Sequence, residues 1–318
     1  MDLNQTQLLT ELEPFAEREL ERHLKQAKDW FPHEYVPWSE GRNYDGIFGG
    51  DAWEPEQSKV SPIARTALIV NLLTEDNLPS YHREIANTYG RDGVWGTWVD
   101  RWTAEEGRHG MVMRDYLLVT RAVDPQQLER ERMTHMGTGF EQDNEDMLQS
   151  LAYVSFQELA TRISHRNTGK FTQDPACEQM LARIAQDENL HMVFYRNLLD
   201  SALAVAPSQT MQAITKVVAN FQMPGHGIED YGRRSVQIAM AGIYDLRIHH
   251  DEVVAPILRK WKVWDRDDLD AEGEQAREEL ARVVAELDQQ ATRFEEKRAA
   301  YLEKQAARAE RAAAVATA

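Results

Sequence analysis

Two Glu-x-x-His pairs, Glu106/His109 and Glu188/His191, lie on apolar stripes of long helical segments, and each pair follows a further stripe-facing glutamate. Between about 95 and 121, residues Val99, Trp102, Glu106, His109 and Met113 recur at steps of three and four. Leu181, Ile184, Glu188, His191 and Tyr195 do the same between 175 and 205. This period puts both pairs on the faces that should point into a core. Glu75 follows Leu68 and Leu72 on one face; Glu158 follows Leu151 and Val154, with Thr161 one turn on. Four carboxylates turned inward are very costly unless a positive charge compensates them. No lysine or arginine stands at the neighbouring positions of these faces. Two divalent cations would balance four carboxylates, with both histidines neutral.

The spacing repeats. Glu75 precedes Glu106 by 31 positions and Glu158 precedes Glu188 by 30, so one unit occurs twice: a lone Glu on one helix, then Glu-x-x-His on the next. Residues three apart share a helix face and can reach one ion or bridge two. That is the arrangement of ferritin-like di-iron and di-manganese carboxylate proteins, and it predicts an all-α chain with a four-helix-bundle core and flanking helices. Mixed carboxylate and imidazole donors suit iron or manganese better than copper or structural zinc. One Glu-x-x-His in an acidic chain is unremarkable; the doubled unit is what carries the reading. His249-His250-Asp251-Glu252 also contains metal-capable residues, but reads as a helix start with surface charge. His33, His82 and His226 read as ordinary loop or core histidines.

The rest of the pattern is helical too. Ser61-Pro62, Asp124-Pro125 and Asp174-Pro175 each read as an N-cap followed by proline at the first helical position, and Ser208 as a further cap. Helices are expected near 8–27, 62–89 with a break at Pro79, 95–121, 125–138, 145–167, 175–205, 208–221, 230–247, 250–262 and 270–310. Trp30 to Val60 reads as a long ordered loop. The body would comprise 1–264, followed by an amphipathic helix over 265–305 packed on it through Leu280, Val283, Leu287, Phe294 and Tyr301, and a disordered Ala-rich tail over 306–318.

A net charge of −17 argues against a nucleic-acid partner. With the single cysteine Cys177, thiolate clusters and intrachain disulfides are excluded. There is no run of about 18 apolar residues, so no membrane span is expected. The polar start, Met1 to Glu13, has neither a secretory nor a transit pattern, which predicts a cytoplasmic location.

At the ligand segments the chain resembles the soluble acyl-[acyl-carrier-protein] desaturases of plants and actinobacteria. Thr74-Glu75-Asp76-Asn77-Leu78-Pro79-Ser80-Tyr81 is similar to that family's first ligand segment, and Trp102-Thr103-Ala104-Glu105-Glu106-Gly107-Arg108-His109-Gly110 to its second. Ser155-Phe156-Gln157-Glu158, with Ala160-Thr161 and Ile163-Ser164-His165, is similar to the third, and Asp187-Glu188 with His191 to the fourth. The resemblance runs from about Trp30 to Phe294. It implies a di-iron centre of two iron ions using O2 and two electrons, commonly from a ferredoxin, to put a cis double bond into an acyl chain held by acyl carrier protein. It also implies a homodimer. Carried over residue by residue, Glu75, Glu106, His109, Glu158, Glu188 and His191 would hold the irons. Thr161 would be a hydroxyl at the oxygen-binding face, and Asp187 with Trp30 would extend from a ligand histidine, with Trp102 nearby. For Thr161 a bond to a backbone carbonyl, and for both tryptophans plain packing, are the competing roles.

The chain also departs from its look-alikes. Gly107 replaces the usual asparagine, and Glu84 stands two turns past Glu75, where an apolar lining would be expected. Double-bond position and chain length therefore stay open. So do two alternative functions: another di-iron oxidase or hydroxylase on the same scaffold, and an inactive metal- or acyl-carrier-binding homologue.

Overall fold

The computed structural model describes residues 2–140, 146–225 and 227–316, without the side chains of 312–316; His226 thus lies outside the described residues. Among the described residues there is no strand, only an isolated bridge between Tyr44 and Asp51. Helices α1 (Gln5–Gln26), α2 (Pro62–Asp76), α3 (Leu78–Tyr89), α4 (Gly93–Val119), α5 (Pro125–Thr138), α6 (Met147–Thr172), α7 (Pro175–Val205), α8 (Pro207–Asn220) and α9 (Tyr231–Met240) follow in order. Then come α10 (Leu246–Ile248), a π-helical turn (His249–Val254), α11 (Ala255–Lys260) and α12 (Ala271–Ala316).

The helix starts arise from local chemistry. The Ser61 hydroxyl accepts from the Ala64 N–H, and the Asp124 and Asp174 carboxylates each accept from two N–H groups of the first turn, with proline next in all three. These contacts satisfy donors that a helix start leaves without partners. Pro79 divides the expected 62–89 helix into α2 and α3, because it cannot supply the N–H that a continuous helix needs. α6 runs on to Thr172, until Gln173 turns left-handed at φ 56°. Ser208 is not a helix cap: Pro207 opens α8, and the Ser208 hydroxyl accepts from Asp270 N at 2.9 Å, tying α8 to the approach of α12. The His249–Glu252 run is no helix start either. Asp245 caps α10 three residues earlier, and His249 is buried, stacked on Phe221 and bonded to the Tyr244 hydroxyl at 2.8 Å.

Helices α2, α4, α6 and α7 form the central bundle, with α3 continuing the line of α2. α1 packs on α7 and α4, and α8 packs on α6 and α7 and is covered by α12. Leu280 and Ala291 of α12 are fully buried. The loop between α1 and α2 is ordered by Arg121, which donates to the Asn43, Asp51 and Ala52 carbonyls and stacks on Tyr44. Gly169 lets α6 approach α7: a Cβ there would stand 3.1 Å from the Glu178 Cα. Gly169→Ala should destabilise the fold by about 1–3 kcal/mol, because the obstacle is backbone; thermal melts of the variant measure it.

Candidate metal centre

The bundle brings all six sequence-predicted donors together. Glu75 comes from α2, Glu106 and His109 from α4, Glu158 from α6, and Glu188 and His191 from α7, each at most 9% exposed. They form two overlapping groups, Glu75/Glu106/His109/Glu188 and Glu106/Glu158/Glu188/His191, with donor atoms within 4.8 Å of one another in each. Glu106 and Glu188 belong to both groups, where residues bridging two ions would stand.

Both histidines present the same nitrogen. His109 Nδ1 is 3.1 Å from Glu106 Oε2, 3.5 Å from Glu188 Oε1 and 3.6 Å from Glu75 Oε2. His191 Nδ1 is 2.7 Å from Glu106 Oε1 and 3.6 Å from Glu158 Oε2. The opposite nitrogens face outward: His109 Nε2 is 3.4 Å from Asp187 Oδ2 and His191 Nε2 is 2.9 Å from Glu105 Oε2. A carboxylate at Nε2 keeps the proton there and leaves a lone pair on Nδ1. That lone pair on His191 then meets a carboxylate oxygen. Indeed His191 Nδ1, Glu106 Oε1 and Glu158 Oε2 are buried without hydrogen-bond partners. Such a contact is repulsive unless a proton or a metal cation lies between, and the inward carboxylates and imidazole nitrogens are a donor set that fits a metal centre.

Electrostatics point the same way. Burial, then the charges of Glu188 and Glu106, hold the Glu158 carboxyl well above the usual range. Burial and the Glu188 charge also raise Glu106. Burial opposes a charge on His109 and His191, but the carboxylates around them, Glu106 foremost, raise both well above the ordinary imidazole range. Without metal, protons therefore do part of the neutralising.

The other sequence-predicted residues adjoin this cluster. Trp30 Nε1 donates to Asp187 Oδ2 at 2.7 Å, and Arg108 and Arg183 both pair with Asp187 and lie over the Trp30 ring. Trp102 Nε1 donates to Glu158 Oε1 at 3.1 Å. The Thr161 hydroxyl has both kinds of partner: the Gln157 and Glu158 carbonyls, and Glu188 Oε2 at 3.1 Å. Glu84 is half-buried and pairs with Arg83, away from the cluster.

Sequence reasoning missed three residues. Glu105 Oε2 is 2.9 Å from His191 Nε2 and also 2.9 Å from the fully buried His23 Nε2, while Arg101 pairs with its other oxygen. Burial pushes the Glu105 carboxyl up, but the two histidines outweigh it and hold it far below the usual range. His165 Nε2 lies 2.8 Å from Glu75 Oε1. The signal for Glu105 was present: an acid directly precedes the inner glutamate in both halves, Glu105-Glu106 and Asp187-Glu188. Each of these acids orients the histidine of the other half. His165 had a signal of its own, seven positions after Glu158 on the same face of α6; His23 had none, since α1 meets the site only in three dimensions.

A narrow cavity of about 40 Å³ abuts the cluster, and Glu75, Glu106, Glu158, Glu188 and Thr161 line it together with Ile85, Trp102, Phe140, Tyr153, Val154 and Pro224.

A model of the fatty acid desaturase family matches residues 4–313. The chain is 51% identical over 301 residues to a Mycobacterium tuberculosis protein provisionally named acyl-[acyl-carrier-protein] desaturase DesA1, over 92% of this chain and 89% of that one. It is 28% identical over 317 residues to the chloroplastic stearoyl-[acyl-carrier-protein] 9-desaturase of Gossypium hirsutum, over 93% of this chain and 79% of that one. The X-ray structure of DesA2 from Mycobacterium tuberculosis, provisionally an acyl-ACP desaturase, superposes with a TM-score of 0.69 at 29% identity, covering 85% of this chain and 98% of that chain.

Proposed function

The chain belongs to the fatty acid desaturase family, and from that premise we propose that it is an acyl-[acyl-carrier-protein] desaturase, an oxidoreductase acting on a carrier-bound fatty acyl chain. The observation that carries this reading is the pair of histidine Nδ1 atoms turned onto four buried carboxylates beside a largely apolar cavity. Glu75, Glu106, His109, Glu158, Glu188 and His191 would hold two iron ions. When bound, these supply the O2-dependent two-electron oxidation that removes two hydrogens from adjacent carbons and leaves a cis double bond.

The protein's own residues position and insulate. Trp102 and Thr161 hold oxygens of Glu158 and Glu188, fixing the face that borders the cavity. The apolar lining from Leu78, Ile85 and Val154 excludes water from the reacting carbons. Asp187 and Glu105 keep the proton of each histidine on Nε2. Two external electrons would enter past Trp30 and Asp187 towards His109. A cleft lined by Lys28, Arg162, Arg166 and Arg183 opens beside that tryptophan, and in a chain of net charge −17 this local basic patch suits an acidic ferredoxin-like donor.

The body over 1–264 carries the site, with α12 (Ala271–Ala316) as its cover, where a helix over 265–305 and a disordered tail over 306–318 were expected. No helix among the described residues is long and apolar enough to cross a membrane. We place the protein in the cytoplasm as a homodimer; sedimentation of the purified chain tests the assembly.

Incubating the iron-loaded chain with acyl carrier protein bearing saturated chains, a ferredoxin, its reductase and O2 should yield unsaturated acyl products by mass spectrometry. A hydroxylated product would replace this reading with a hydroxylase. Metal uptake without substrate-coupled O2 consumption would replace it with a binding protein.

A further inference from the structure

α1 lies outside the four helices that carry the inward carboxylates and histidines, packed on α7 and α4. Its buried face carries Leu8, Leu12, Ala16 and Leu20, and then His23, which is fully buried. His23 Nδ1 has no hydrogen-bond partner, a cost that a leucine packed in the same slot would not carry. Packing alone therefore does not call for an imidazole here. The other nitrogen is engaged: His23 Nε2 lies 2.9 Å from Glu105 Oε2, the same oxygen that His191 Nε2 meets at 2.9 Å. An ionised carboxylate can only accept, and Arg101 pairs with the other oxygen of Glu105. Both imidazoles thus present an N–H to the shared oxygen. The rings are also held in orientation. His23 stacks on His191 with centroids 5.8 Å apart and 21° between planes, and Trp98 meets both rings edge-on, at 5.1 and 6.2 Å.

The other half of the site is built alike. Trp30 stacks along His109 at 6.4 Å and 18°, and its Nε1 donates to Asp187, the acid at His109 Nε2. In each half, then, an acid stands at the histidine Nε2, an arginine pairs with that acid, and a second ring N–H reaches the acid while lying nearly parallel to the histidine. His23 and Trp30 are seven positions apart, so one segment, α1 and the residues just after it, supplies this ring to both halves.

We propose that His23 is a positioning residue for His191, the counterpart of Trp30 for His109. Through the shared Glu105 oxygen it keeps the His191 proton on Nε2 and holds the ring where Nδ1 faces Glu106 and Glu158. The proposal rests on the metal-centre reading. It makes α1 part of the site, although α1 brings no donor to the ions. With His23 removed, the Glu105 oxygen that meets His191 loses its second N–H, and the carboxylate and the His191 ring gain freedom to turn together.

The test is anaerobic binding of ferrous ion by the whole chain, read by competition with a chromophoric chelator and by Mössbauer spectra. His23→Leu fills the slot without an N–H. It should weaken one ion about tenfold, the lower end of what losing an outer partner of a ligand histidine costs. The other ion should bind unchanged, and one of the two spectral components should shift. His23→Gln can bring an amide N–H to the same oxygen and should restore most of the affinity and the spectrum. The route is read from a cycle with Glu105: in Glu105→Ala, adding His23→Leu should weaken the ion no further, because residues acting through one contact are non-additive. His23→Met also fills the slot without an N–H and gives the same reading where His23→Leu folds poorly. Unchanged affinity and spectra in His23→Leu, equal impairment in His23→Gln, or losses that add in the double variant each overturn the role of His23 while leaving the metal centre intact. Wild type that takes up no ferrous ion sinks the metal-centre reading, and the proposal with it.

Discussion

Loading the metal-free chain with divalent iron should raise its melting temperature by about 15 °C and take up two ions. At a free metal concentration ~1,000 times the dissociation constant, each site adds ~4.1 kcal/mol to stability, and a protein of this size gains roughly 2 °C per kcal/mol. The cause is the crowding of charge: four buried carboxylates lie around His109 and His191, with His191 Nδ1 2.7 Å from Glu106 Oε1, and without metal only protons relieve them. Glu158→Gln should act with opposite signs on the two forms. It removes a carboxyl that must take up a proton to be buried there without metal, so the metal-free variant should melt higher than wild type. It also removes a donor, so uptake should fall below two ions and desaturation should be lost. Anaerobic calorimetry with iron analysis reads both; a Glu158→Gln protein that binds two ions as tightly as wild type would exclude this residue as a ligand.

The same cluster sets a pH dependence. Folding raises the affinity of His109 and His191 for protons. In the metal-free chain, the stability from this source is complete below the ordinary imidazole value of ~6.5 and is lost as pH rises through the raised folded values. Glu106 and Glu158, also raised, act in the same direction from the carboxylate range upward. Metal replaces these protons. The metal-loaded chain should therefore keep its stability above pH 7 where the metal-free chain loses it, and iron binding should release protons and tighten as pH rises. Melting curves of both forms from pH 6 to 9 check the sign.

Glu105→Ala and Asp187→Ala should each weaken metal binding about 10- to 100-fold, the usual cost of losing a carboxylate that orients a ligand histidine. Each acid reaches across to the other half's histidine, so the two losses should fall on different ions. Competition titrations with a chromophoric chelator should show one weakened ion per variant. Trp30→Phe separates orientation from electron delivery: it leaves the Asp187 carboxylate in place, so metal affinity should hold while reduction by the external donor slows. Equal loss of affinity in Trp30→Phe would mean that the tryptophan acts through Asp187 on the site's geometry instead.

How much was legible beforehand follows from which interactions are local. Helix starts at Pro62, Pro125 and Pro175 were readable because capping involves residues two or three apart. Ser208 misled for the same reason: its hydroxyl had a local role available but serves Asp270, 62 positions away. In the His249 run the charged Asp251 and Glu252 do lie at the surface, but His249 is buried, since nothing nearby in sequence shows that Phe221 and Tyr244 will close over it. Among site residues, Glu105 could have been found from the doubled acid before each inner glutamate and His165 from its place on the Glu158 stripe, whereas His23 sits on a stripe that is unexceptional by itself.

By itself the sequence determined the helical class, the bundle and the six side chains that the bundle gathers, because a carboxylate repeated on a core-facing stripe has few explanations and each half of the cluster repeats within about thirty positions. Only the tertiary structure decided which nitrogen of each histidine faces inward and which acid holds which histidine. Those depend on distances between α1, α4, α6 and α7, and helical periodicity says which face a residue occupies without saying what will stand opposite it.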